Sequence, residues 1–330
     1  MRGRPLSDLR VSVTDRCNFR CPYCMPRDAF GPGHAFLPPE HLLSVGETAR
    51  LVAVFTRLGV TKVRLTGGEP LLRPDLEDLV SAVAALPGVR DLALTTNGSL
   101  LASRAASLRQ AGLGRVTVSL DSLDPGVFAA MGDTRTRLDD VLEGLVAAAA
   151  AGLAPVKINA VLRRGVNEEG LLDLAGFARE HGHLLRVIEY MDVGTTNGWQ
   201  LTDVVPAAEV LARIAAVWPL EPVLTGRRGE VAERYRYLDG AGELGVIASV
   251  TRPFCADCSR ARLAADGELF TCLFASTGTD LRAPLRAGAD DAALEALLRA
   301  IWSRRVDRFS ELRAGEGGGG THAEMSYLGG

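Results

Sequence analysis

Six cysteines are the residues of this chain with the most chemistry to offer, and they fall into two groups of three. Cys17, Cys21 and Cys24 stand at C-x3-C-x2-C spacing in "DRCNFRCPYCMP", residues 15–26. Cys255, Cys258 and Cys272 lie in "FCADCSRARLAADGELFTCLF". None is left over for a core position, although buried cysteine is common. Structural zinc usually closes four ligands, and iron–sulfur clusters also favour all-thiolate surroundings. Three thiolates on a four-iron cluster leave one iron open to another ligand. The rival reading is six thiols sharing two zinc ions with histidines. His34, His41, His181, His183 and His322 show no zinc spacing around them.

The elements that must position these groups can be read from period and punctuation. Short β-branched runs recur at "LRVSV" (9–13), "TKVRLTGGEP" (61–70), "DLALTTNG" (91–98), "GRVTVSLDS" (114–122), "PVKINAVL" (155–162) and "LLRVIEYMDV" (184–193). Helical patterns such as "RPDLEDLVSAVAAL" and "LLASRAASLRQAG" separate them, several ending in Gly as a C-cap should. Six βα units joined by right-handed crossovers make a parallel sheet, open or curved. Polar residues sit at the carboxyl end of nearly every strand, including Thr66, Thr95, Ser119, Asn159 and Glu189. That distribution suits a partial (β/α)6 TIM-like barrel whose loops converge on one mouth, where a doubly wound sheet would concentrate its chemistry at one switch point. The first triplet follows the first strand and so lies at that mouth.

After about residue 220 the pattern changes to the strand-like pieces "ERYRYL", "ELGVIASV", "ARLAAD" and "ELFTCLF", then a helix from about Ala292 to Arg304. The expected division is an α/β barrel over residues 1–220 and a smaller C-terminal α+β domain, 221–330, carrying the second triplet. A four-glycine run, Gly317 to Gly320, should form a linker before the terminal Gly-Gly.

With 47% hydrophobic residues, 23% charged residues and net charge -3, the 330-residue chain has the composition of a soluble globular protein. A nucleic-acid-coating surface is not indicated, and neither a signal peptide nor a membrane span is legible. A cytoplasmic location is expected. That compartment is reducing, so the cysteines point to metal or catalysis. Among 37 Lys+Arg only Lys62 and Lys157 are lysines, leaving 35 arginines. Two surviving lysines suggest positions that need a compact, rotatable ammonium. Lys62, Arg64 and Thr66 alternate with apolar residues on the second strand and so share one face. Lys157 shares a face with Asn159 on the fifth, and Arg186 stands at the start of the sixth.

The first triplet, with aromatic Tyr23 before its last cysteine, resembles the signature of radical S-adenosylmethionine (SAM) enzymes. The resemblance implies a 4Fe-4S cluster whose open iron chelates SAM and cleaves it to a 5′-deoxyadenosyl radical. "LTGGEP" resembles the motif that holds the methionine end of SAM, which brings in Gly67, Gly68 and Glu69. Ser119 and Met191 match further SAM-contacting positions. "CADCSRARL" with Cys272 is similar to one branch, the GTP 3′,8-cyclase family of molybdenum cofactor biosynthesis. That resemblance runs through "LTTNG", "SLDSLD" and "IEYMDVG" to the terminal Gly-Gly.

It implies a second 4Fe-4S cluster on Cys255, Cys258 and Cys272 that binds guanine, facing the first across the mouth. Lys62, Arg64, Thr95, Lys157 and Arg186 would line the triphosphate site, while Arg10, Arg260 and Arg262 approach the substrate and assist cyclisation. The radical would take hydrogen from ribose C3′, and the carbon radical would attack guanine C8. Implied partners are a low-potential electron donor of flavodoxin or ferredoxin type and a downstream cyclic pyranopterin monophosphate synthase, with a homodimer as candidate assembly. Alternatives are a peptide-modifying radical SAM maturase with an auxiliary cluster, or a zinc-stabilised binding protein. Two features depart from the family pattern. Ser259 stands where relatives often have Asn, and "RRVDRFSELRAGEGGGG" is arginine- and glycine-rich where a lysine-containing segment is expected.

Overall fold

The computed structural model describes residues 3–224, 229–313 and 322–329. Six strands, β1 (Asp8–Ser12), β2 (Lys62–Thr66), β3 (Asp91–Thr96), β4 (Arg115–Ser119), β5 (Lys157–Leu162) and β6 (Leu184–Glu189), pair in parallel in chain order. The connecting helices are α1 (Val45–Arg57), α2 (Leu76–Ala84), α3 (Leu101–Gln110), α4 (Pro125–Gly132), α5 (Leu138–Ala150) and α6 (Leu171–Glu180), with α7 (Ala207–Ala215) following β6. This is the expected partial (β/α)6 barrel. Among the described residues, no helix is long and apolar enough to cross a membrane.

Local chemistry explains where the helices begin. Ser44 accepts from the Glu47 amide while the Glu47 carboxylate accepts from the Ser44 amide, a capping box that starts α1. Asp124 caps α4 ahead of Pro125, whose missing N–H costs nothing there. Leu51, Val52, Val54 and Phe55 then bury one face of α1 completely or nearly so. Each such side chain contributes about 1.5–3 kcal/mol of transfer free energy.

Residues after 216 extend the same sheet at both edges. The strands are β7 (Leu220–Pro222), β8 (Glu233–Tyr237), β9 (Glu243–Ile247), β10 (Arg260–Leu263), β11 (Glu268–Phe270) and β12 (Thr279–Asp280). β9 runs parallel beside β6, and β10 runs parallel beside β1. The sheet order is β12-β11-β10-β1-β2-β3-β4-β5-β6-β9-β8-β7. The chain therefore leaves one end of the barrel sheet and returns to the other, carrying the second cysteine triplet across its mouth. α8 (Arg282–Arg286), α9 (Asp291–Ser303), α10 (Phe309–Leu312) and α11 (Met325–Leu328) complete the chain. The Gly317 to Gly320 run and Gly330 lie outside the described residues.

Candidate active site

Both cysteine triplets open on one cavity. Its walls include Cys17, Cys21 and Cys24 on one side and Cys255, Cys258 and Cys272 on the other, with Arg10, Arg64, Arg186, Arg260 and Arg262 between them. Tyr23, Gly68, Thr95, Ser119 and Met191 also line it. Of the residues singled out in the sequence, Lys62, Gly67, Glu69 and Lys157 are not on its walls.

Gly67 and Gly68 are required by the loop that carries the first triplet. A Cβ on Gly67, at φ +142°, would meet the Thr14 carbonyl oxygen at 2.4 Å, and one on Gly68 would meet that of Arg16 at 2.2 Å. In their place the Gly68 amide donates to Thr14 O (2.8 Å), and the Glu69 amide donates to Arg16 O (2.8 Å). Glu69 lies buried behind this contact, accepting from Thr96 Oγ1 (2.6 Å) and the amides of Asn97 (2.7 Å) and Leu71 (3.0 Å). Burial outweighs those donors and pushes its carboxyl up to about 7. Tyr23 donates to Asp121 Oδ2 (2.7 Å), and Asp121 Oδ1 accepts from the Val161 amide (2.8 Å). The cysteine loop is thereby tied to β2, β3, β4 and β5.

Burial raises the Cys17 thiol to about 11, with help from Glu69, and raises Cys21 and Cys24 as well. Three buried thiols near carboxylates cannot ionise together without a compensating cation, and a cationic iron cluster supplies one. In the second triplet burial raises Cys272 to about 11. At Cys258 the opposing charges of Arg260 and Arg305 outweigh burial and bring the thiol down to about 6. Among the described residues, no three His, Cys, Asp or Glu side chains converge tightly enough to hold a single metal ion. All six thiols line one cavity, and all-thiolate surroundings are those that iron–sulfur clusters favour.

The cations are stacked by strand register. Arg262, Arg10 and Arg64 stand side by side on β10, β1 and β2. Arg260, Asp8 and Lys62 form the neighbouring row, in which Lys62 Nζ pairs with Asp8 Oδ1 at 2.9 Å. Asp8 thus partners Lys62, and Asp15 Oδ2 accepts from the Leu37 amide (2.6 Å). Arg64 is nearly buried and donates to Thr95 Oγ1 (2.8 Å) and Thr117 Oγ1 (2.9 Å). Burial, with Arg115 and Arg186 nearby, lowers its pKa to about 9. Burial and Arg186, Arg115, Arg64 and Lys62 together lower Lys157 to about 7. Among the described residues, the buried Nε atoms of Arg186 and Arg260 and the buried Oδ1 of Asn159 have no hydrogen-bond partner. Both arginine atoms are cationic donors on residues of the cavity lining, the kind of group that pairs with an anion.

The C-terminal tail enters the same space. Ser12 Oγ donates to Tyr327 O (2.9 Å), Arg262 donates to Gly329 O, and Leu328 is fully buried. Met325 reaches the cavity wall. Glu189, expected at the mouth, instead accepts from the Ala207, Val250 and Thr251 amides and so fastens the β6 loop to later segments. Sequence reasoning passed over Arg4, Arg305 and Asp307 beside the second triplet. Nothing distinguishes those two arginines among 35 in the sequence. Asp121 was legible only as part of "SLDSLD".

The comparisons with known proteins agree with this geometry. The family model of the radical SAM superfamily matches residues 11–178, and that described as Molybdenum Cofactor Synthesis C matches residues 183–311. A GTP 3′,8-cyclase of Acidothermus cellulolyticus is 57% identical, covering 99% of this chain and 98% of its own. This chain belongs to the GTP 3′,8-cyclase family. A second family member, from Xanthomonas axonopodis pv. citri, is 51% identical over 99% of this chain and 97% of its own. A similar fold is found in SuiB of Streptococcus suis, solved bound to S-adenosylmethionine. That structure gives a TM-score of 0.63 at 17% identity and covers 92% of this chain and 69% of that one. Membership accounts for the pairing of a radical SAM barrel with a second thiol triplet.

Proposed function

We infer that this chain is a radical SAM enzyme converting GTP to (8S)-3′,8-cyclo-7,8-dihydroguanosine 5′-triphosphate, the first step of molybdenum cofactor biosynthesis. The observation that carries the reading is one cavity lined by both thiol triplets and by stacked arginines with orphaned donors. A 4Fe-4S cluster on Cys17, Cys21 and Cys24 would supply the electron that cleaves SAM and so the hydrogen-abstracting radical. Tyr23, Gly67, Gly68, Glu69, Ser119 and Met191 are assigned to hold SAM. Gly67 and Glu69 act from behind the wall by fixing the loop, and one acceptor position of the Glu69 carboxylate remains for an ammonium.

Cys255, Cys258 and Cys272 are assigned to a second cluster that orients the base. Arg64, Thr95 and Arg186 are assigned to the triphosphate from the wall, Lys62 and Lys157 to the same site as charges set behind it, and Arg10, Arg260 and Arg262 to the reacting end. These side chains neutralise charge, fix ribose against the radical source and exclude water; proximity of this kind supplies about 7–11 kcal/mol of a barrier. Arg262, held by Gly329 O, couples that end to the tail. The division at about residue 220, a cytoplasmic location, a flavodoxin- or ferredoxin-type donor, a downstream cyclic pyranopterin monophosphate synthase and a homodimer complete the proposal.

Reduced, reconstituted protein incubated with SAM and C3′-deuterated GTP should yield deuterated 5′-deoxyadenosine and a cyclised nucleotide by mass spectrometry. SAM cleavage without label transfer would overturn the substrate assignment. Iron analysis should give about eight irons per chain, since two four-iron clusters are proposed.

A further inference from the structure

The arginine-rich segment after α9 reaches the surroundings of all three cysteines of the second triplet. Arg305 is almost fully buried, with 3% of its side chain exposed. Its Nη1 donates to Cys258 O (2.7 Å) and its Nη2 to Cys258 Sγ (3.2 Å). Nε donates to Asp307 Oδ2 (2.6 Å), and the guanidinium lies over the Trp302 ring at 4.6 Å. Asp307 Oδ1 accepts from Thr271 Oγ1 (3.3 Å), the residue before Cys272. Arg4 bridges the remaining strand of the loop, its Nη1 donating to Cys255 O (2.9 Å) and Asp307 O (2.9 Å). Trp302 Nε1 closes the circuit by donating to Arg4 O (2.9 Å).

We propose that Arg305, braced by Arg4, Trp302 and Asp307, is a positioning residue of the second cluster that pre-sets its thiols and raises its reduction potential. The proposal rests on the two-cluster reading above. A planar fork can span a carbonyl, a sulfur and a carboxylate at once, which a lysine ammonium in the same place cannot do with fixed directions. Donors to ligating sulfurs stabilise the more negative reduced cluster, and such outer partners typically carry about 10–100-fold in metal affinity. Arg305 belongs to the cavity lining, yet with only 3% of its side chain exposed its guanidinium is committed to Cys258 and Asp307.

The test uses the full chain with Cys17, Cys21 and Cys24 changed to alanine, so that any iron reports on the second triplet alone. This parent should retain about four irons with a measurable midpoint potential; if it binds none, the two-cluster reading itself fails. Adding Arg305→Met should lower the midpoint potential and speed iron loss to a chelator by about 10–100-fold. Arg305→Lys should keep the charge and the fold yet restore only part of both properties. An unchanged potential and unchanged chelator resistance in Arg305→Met would overturn the role of Arg305. If Arg305→Met does not fold by circular dichroism, Arg305→Lys decides the matter, because full restoration by a point charge contradicts a directional role.

Discussion

Lys157 is a half-buried ammonium among other cations. Burial and four neighbouring cations leave its ammonium half-deprotonated near pH 7. A bound triphosphate favours the protonated form, so binding above pH 7 must take up a proton. GTP affinity should therefore be nearly flat below pH 7 and fall by up to tenfold per pH unit above it, until the bound-state pKa is reached. Equilibrium dialysis with Lys157→Met as the comparison subtracts the titration of GTP itself, and the variant should lack this slope. Equal slopes in both proteins would rule out Lys157 as the titrating group.

Gly68 sets the tolerance of an element pair. The β2 loop lies against the cysteine loop backbone to backbone, and the atom that an added Cβ meets is a carbonyl oxygen rather than a yielding side chain. Gly68→Ala should cost about 1–3 kcal/mol by overpacking and displace the loop that carries Cys17. Chemical denaturation should show the stability loss, and iron content at the first triplet should fall with it. A variant with normal stability and full iron would show that the contact is not limiting. The two glycines of "LTGGEP" do permit a close backbone approach, and the approaching partner is the chain's own Thr14 and Arg16.

At the scale of the whole molecule, residues 325–329 pack back against Ser12, Thr66 and Arg262. Gly329 has φ +72°, and a Cβ there would meet Thr66 Cγ2 at 2.2 Å. Gly329→Ala should expel the tail from beside Arg262 and Ser12, leaving iron binding intact. The expected readouts are faster proteolysis at the tail and a fall in kcat/KM for GTP that exceeds the loss of SAM binding. Tail protection and kinetics equal to the unmodified protein would contradict an inserted tail.

The sequence by itself determined the six βα units, the thiol spacing and the strand parity of Lys62, Arg64 and Thr66. Each follows from local period or covalent spacing, which do not depend on distant contacts. It also carried the family resemblance through dispersed motifs. Only the tertiary structure decided that β9 and β10 extend opposite edges of one sheet, because parallel pairing joins segments far apart in sequence. That pairing aligns Arg262, Arg10 and Arg64 across three strands. The same long-range closure separated Arg4 and Arg305 from the other arginines, since burial and a sulfur partner are properties of the folded chain. It also turned Glu189 from a candidate mouth residue into a fastener of the β6 loop, where three backbone amides converge on its carboxylate.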